Sequence, residues 1–125
     1  MADKFSFRDR IKSFKFALNG IRLLILKEHN ARIHIVVGLL VIIAGMILKL
    51  DSIEFSLVAI CIGIVFVCEL FNTSIEAIAN FVEPKWNDKI GEIKDYAAGA
   101  VLVSAMMSAG VGLIIFGPKI LKLLS

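Results

Sequence analysis

The chain has 125 residues, enough for one domain and too few for two. Hydrophobic residues make up 58% of it and the mean hydropathy is +0.87, well above the range of a soluble globular chain. A net charge of +3, with the basic residues gathered near helix ends, points to anionic lipid headgroups rather than nucleic acid. The two cysteines, Cys61 and Cys68, lie seven apart in an apolar run, which suits small hydrophobes on one helix face better than a zinc site or a disulfide.

Residues 4–27 begin the pattern. Phe7, Ile11, Phe14, Leu18, Ile21 and Ile25 repeat at spacings of three and four, while Lys4, Arg8, Arg10, Lys12, Lys15, Asn19 and Arg22 take the other face. This predicts an amphipathic helix lying in the membrane interface. Its apolar residues are periodic rather than continuous and no small-residue cleavage site follows, so it reads as retained structure, not a secretory signal. After a polar break, residues 31–49 form a first predicted span, apolar except for His34 and its flanks, with Gly38 and Gly45 placed for close helix contact. Lys49-Leu50-Asp51-Ser52 reads as a tight turn with Asp51 or Ser52 capping the next helix. The second span covers 53–82. It carries no charge from Phe55 to Cys68 and then meets Glu69, Asn72 and Glu76.

Spacings of three and four put these three side chains on one helix stripe, with the carboxylates roughly 10 Å apart along the axis. Carboxylates near lipid are expensive, and their default reading is functional. Glu83-Pro84 ends the helix, and residues 83–94 read as a charged loop in which Trp86 can anchor at headgroup level. A third span, 95–117, is rich in Ala, Gly and Ser and suits close backbone approach. Gly117-Pro118 is expected to stop it. The whole chain, 1–125, reads as a single all-α integral membrane domain: one amphipathic surface helix plus three transmembrane helices.

With three spans, one side of the membrane receives eleven Lys/Arg (positions 4, 8, 10, 12, 15, 22, 27, 32, 85, 89, 94) and the other three (49, 119, 122). The positive-inside rule places the first group, and the N-terminus, in the cytoplasm. Glu28, Glu69, Asn72, Glu76, Lys94 and Asp95 then converge at the cytoplasmic interface. Oxygen ligands there suit Mg²⁺, which takes one or two protein carboxylates together with substrate phosphates. A further carboxylate within reach could accept the proton of a membrane-embedded alcohol. His34 reads as a satisfied interfacial histidine, and His29 as solvated. Soluble-kinase signatures are absent, and Gly112 to Lys119 fails as a phosphate-binding loop because Pro118 stands where the lysine is needed. These residues alone leave a kinase, a small oligomeric channel or cation carrier, and a structural assembly protein open.

The string Glu69-Leu70-Phe71-Asn72-Thr73-Ser74-Ile75-Glu76, followed by Ile93-Lys94-Asp95-Tyr96-Ala97-Ala98-Gly99-Ala100, resembles the prokaryotic diacylglycerol kinase family of small membrane lipid kinases. So do Gly20-Ile21-Arg22, Lys27-Glu28 and Ala31-Arg32. The resemblance covers about residues 14–116. It implies a homotrimer in the bacterial inner (cytoplasmic) membrane, a cytoplasmic active site shared between protomers, and ATP with Mg²⁺ as cofactors. It implies Glu69 as the general base, Glu28 and Glu76 as metal-binding carboxylates, and Asn72, Lys94 and Asp95 as nucleotide-site residues. Lys85, Trp86 and Asn87 match a nucleotide-contacting stretch, with Trp86 replacing a usual tyrosine. The segment Glu28 to His34 is similar to the Gram-positive branch, whose members phosphorylate undecaprenol; the branch acting on diacylglycerol tends to carry an acidic residue where His34 stands.

Overall fold

A computed structural model describes residues 6–125; Lys4 lies outside the described residues. Four α-helices follow one another: α1 (Phe7–Lys27), α2 (His29–Ile47), α3 (Ser52–Val82) and α4 (Asp88–Leu124). The last three are long and apolar enough to cross a membrane. At 1.5 Å per residue α2 is about 28 Å long, close to the hydrocarbon thickness of a bilayer, while α3 and α4 reach about 46 and 55 Å. The two long helices must therefore project beyond the hydrocarbon. They pack mainly on each other, α2 packs on α3, and α1 touches α2 and α3 lightly.

α1 starts at Ser6, whose side chain accepts from the Asp9 N–H. Its apolar stripe is not its protein contact. Phe7, Ile11, Phe14 and Leu18 are exposed, and the buried residue is Leu24. Leu24 stands one residue, about 100° around the helix, from Ile25. The helix thus rests on the bundle by one flank and turns its stripe outward, as an interfacial helix does.

The break between α1 and α2 is narrower than the polar segment suggests. Glu28 alone interrupts the helices, closing α1 with its N–H on the Leu24 carbonyl. α2 ends in a left-handed cap: Lys49 has φ 52°, its N–H reaches the Met46 carbonyl, and the Leu50 N–H reaches the Gly45 carbonyl. This pair of bonds is a Schellman motif. Asp51 then opens α3 with a capping box, accepting from the Ile53 and Glu54 N–H groups while Glu54 accepts from the Asp51 N–H.

At the other end two expectations change. The expected loop 83–94 shortens to 83–87, because Asn87 accepts from the Lys89 N–H and starts α4 at Asp88. Gly117-Pro118 does not end the last helix, which continues to Leu124 with Pro118 inside it. Proline removes one backbone bond, but the turn beyond is held from the side: Lys119 Nζ lies 2.9 Å from Glu54 Oε2 of α3.

Small residues set the helix spacings. A Cβ on Gly38 would come within 3.3 Å of Ile62, and one on Gly45 within 3.3 Å of Leu50 and 3.4 Å of Phe55. Ser108 Oγ, on α4, is shared between the Ser104 carbonyl at 2.8 Å and the Cys61 carbonyl of α3 at 3.3 Å. Cys61 and Cys68 are both free and half-buried. The buried apolar set is short: Leu24, Ala31, Val58, Val65, Ala79, Ala97 and Ile115. Most large apolar side chains of the three long helices face outward, which is the surface lipid wets.

Candidate active site

The stripe on α3 faces two other elements. Glu69 is buried, its side chain 4% exposed, and its Oε1 lies 3.2 Å from His34 Nε2 on α2. A carboxylate taken out of water needs such a partner. His34 is 29% exposed and also lines an apolar cavity of about 510 Å³ between α2, α3 and α4. The histidine therefore touches both the carboxylate and the wall of that cavity.

One turn further along α3, Asn72 Nδ2 donates to Glu76 Oε1 at 3.4 Å. Its other amide atom, Oδ1, is buried with no partner, and so is Thr73 Oγ1. Two unsatisfied buried oxygens side by side are unusual, since buried polar atoms are nearly always hydrogen-bonded. Glu28, at the α1–α2 junction, approaches Glu69. Only its backbone takes part in capping; its carboxylate caps nothing. Glu28 and Glu76 lie near enough for their charges to act on Glu69.

Lys94 approaches from α4. It is half-buried, and its ammonium donates to Asn80 Oδ1, two turns beyond Asn72 on α3. Asp95 is exposed, and no contact ties it to the stripe. Lys85, Trp86 and Asn87 form the short loop at the same end, all three exposed. The Lys85 N–H donates to Glu83 Oε1. Asn87 Oδ1 is engaged in capping α4. Trp86 lies across Gly91, where a Cβ would meet the indole at 3.0 Å. Of the sequence-derived site residues, Glu69, Asn72, Glu76 and Glu28 are thus drawn together. Lys94 joins the same helix through Asn80, and Asp95 and the loop trio stand at the rim.

Three participants escaped the sequence reading: His34 as the partner of Glu69, Asn80 as the partner of Lys94, and Thr73 as an unsatisfied hydroxyl. Thr73 and Asn80 lie on the same helix end as the stripe and gave a weak signal. The His34 pairing had none, because it joins two helices.

The carboxylate and amide oxygens at this end are the donor type that Mg²⁺ takes. Among the described residues no three His, Cys, Asp or Glu side chains form a ready-made metal cluster. Mg²⁺ does not require one, since it is held by one or two carboxylates and completed by phosphate and water. Glu76 beside the unpartnered Asn72 oxygen fits that pattern, and the Glu28 carboxylate, which caps nothing, is a further candidate near Glu69.

Known proteins are similar to this chain over most of its length. The family model described as prokaryotic diacylglycerol kinase matches residues 15–116. An undecaprenol kinase of Bacillus subtilis is 38% identical over 109 residues, covering 87% of this chain and 89% of the relative. A diacylglycerol kinase of Synechocystis is 33% identical over 113 residues, covering 90% of this chain and 65% of the relative. The diacylglycerol kinase of Escherichia coli K12 is 26% identical over 98 residues, covering 78% of this chain and 80% of the relative. The matched region takes in most of α1 and all of the stripe, the loop and the first turns of α4, so this chain is a member of the prokaryotic diacylglycerol kinase family.

Proposed function

We propose that this membrane lipid kinase transfers the γ-phosphoryl group of ATP to the hydroxyl of undecaprenol, with diacylglycerol as the competing acceptor. The buried Glu69 carboxylate, bonded to a histidine that lines an apolar cavity, is the observation that carries the reading. A lipid alcohol needs an apolar approach, and its hydroxyl needs a base at the end of that approach. His34 engages Oε1 of Glu69, which leaves Oε2 for the alcohol. In the transfer, the alcohol oxygen bonds to the γ-phosphorus as the bond from that phosphorus to the β–γ bridging oxygen breaks. The proton passes to Glu69 and ADP leaves.

The remaining roles follow from charge and position. Glu28 and Glu76 would hold Mg²⁺, with Asn72 Oδ1 beside them. When bound there, the ion would supply positive charge against the phosphates. Lys94 supplies a positive charge to the phosphates, held in place by Asn80. Asp95, Lys85, Trp86 and Asn87 form the nucleotide-facing rim. We place the site and the N-terminus on the cytoplasmic side of the bacterial inner membrane, where the excess of Lys/Arg and the supply of MgATP coincide. The working unit is a homotrimer. Undecaprenol is favoured over diacylglycerol by the 38% identity to the undecaprenol kinase and by the Glu28 to His34 segment.

The test is phosphoryl transfer by purified protein in lipid micelles, with undecaprenol and diacylglycerol offered separately. A clear preference for undecaprenol and loss of transfer to both lipids in Glu69→Gln are expected. Preference for diacylglycerol would reverse the substrate assignment. Cation flux without ATP turnover would replace a kinase by a channel.

A further inference from the structure

We infer that His34 is a positioning residue: it fixes the Glu69 carboxylate so that one oxygen stays directed at the lipid hydroxyl. The inference rests on the reading of Glu69 as the base. Glu69 is buried on α3, and a free carboxylate there could swing through several rotamers. Its side-chain polar partner lies on another helix, with Nε2 and Oε1 3.2 Å apart. With the proton on Nε2, the imidazole donates one hydrogen bond and holds the carboxyl group in one orientation.

The backbone keeps this bond in place. His34 is followed one turn later, on the same face of α2, by Gly38, which admits Ile62 of α3 to within 3.3 Å of where its Cβ would be. Ala31, one turn earlier, is wholly buried. The histidine thus sits within a close part of the α2–α3 contact, so its distance to Glu69 is set by packing. The ring also lines the apolar cavity. A contact that aligns a reacting group acts on the chemical step: misplacement by about 1 Å costs on the order of a hundredfold in rate.

The experiment compares His34→Leu, His34→Gln and Glu69→Gln with the parent protein in the micelle assay, with ATP and lipid varied independently. Glutamine keeps an N–H donor at the distance of Nε2; leucine keeps volume and has no donor. His34→Leu is expected to lower kcat by tenfold to about a hundredfold with both KM values nearly unchanged. His34→Gln is expected to recover most of that loss. Parent-like kcat in His34→Leu would overturn the inference, as would equal loss in both variants or an effect confined to the lipid KM. Thermal unfolding establishes that the variants fold. Should His34→Leu not fold, His34→Asn takes its place, its amide being too short to reach Glu69. If Glu69→Gln remains active, the base assignment falls and the inference with it; an inactive Glu69→Gln beside a fully active His34→Leu defeats the inference alone.

Discussion

Asn80 and Lys94 show how a single side chain can order another across two helices. The lysine is half-buried and its ammonium is bound to the Asn80 amide oxygen. Lysine is flexible, and fixing it otherwise costs up to about 2 kcal/mol of rotamer entropy. Asn80→Ala should release Lys94 without removing its charge. The expected outcome is a several-fold rise in the KM for ATP, with kcat changed less, in steady-state transfer at saturating lipid. Asn72 offers a second case. Replacement by Leu removes both the donor to Glu76 and the partnerless oxygen, and should weaken Mg²⁺ binding, read as a rise in the Mg²⁺ concentration giving half-maximal rate. Both residues sit on the helix end that the charge pattern already marked. Asn72 was legible because it repeats with Glu69 and Glu76; Asn80 was not, because its role depends on where α4 crosses. The same holds for His34, whose apolar surroundings suggested a satisfied interfacial residue without naming its partner. Spacing within a helix is written in the sequence, whereas a bond between helices depends on their register.

At the level of elements, the turn between α2 and α3 is defined by local chemistry. Lys49 adopts a left-handed conformation, φ 52°, at the position where glycine is preferred. Lys49→Gly should therefore stabilise the fold by about 0.5–1 kcal/mol, while Asp51→Ala should lose about 1 kcal/mol with the capping box. Unfolding in mixed micelles measures both. Asp51 as a cap and the tight turn were readable, since the residues that cap and turn are few. The ends of α4 were not. Charged residues 88–94 look like loop, yet Asn87 caps them into helix, and Pro118 looks like a stop, yet Lys119 pairs with Glu54 beyond it. In both places a specific contact overrides composition. Gly91 has a related role at the cytoplasmic end proposed for the site. The indole of Trp86, the single tryptophan, lies where a Cβ would stand. Gly91→Ala should displace the ring and shift the tryptophan emission, with a smaller effect on transfer.

For the whole molecule, the question is what covers the helices. A single copy buries few apolar residues, and most of the α2, α3 and α4 surface is left to lipid or to other copies. α4 carries small residues on more than one face. Ser104 and Ser108 are directed at its own chain, with Ser108 reaching the Cys61 carbonyl. Gly99, Gly110 and Gly112 meet no neighbour within 4 Å of where a Cβ would lie. A helix that keeps glycine where its own chain asks for nothing gives a second backbone room to approach, as membrane helices do in the absence of a hydrophobic drive. This distinction makes the proposed trimer testable by one substitution. Gly99→Leu has space within the single chain, so it should leave the secondary structure and the α3–α4 packing intact. It should nevertheless weaken assembly in detergent and lower transfer in parallel, because the proposed site is completed between protomers. An unaltered, fully active oligomer in size analysis would move the interface elsewhere. Loss of activity with the oligomer intact would place Gly99 at the site itself, four residues beyond Asp95 on the same face of α4.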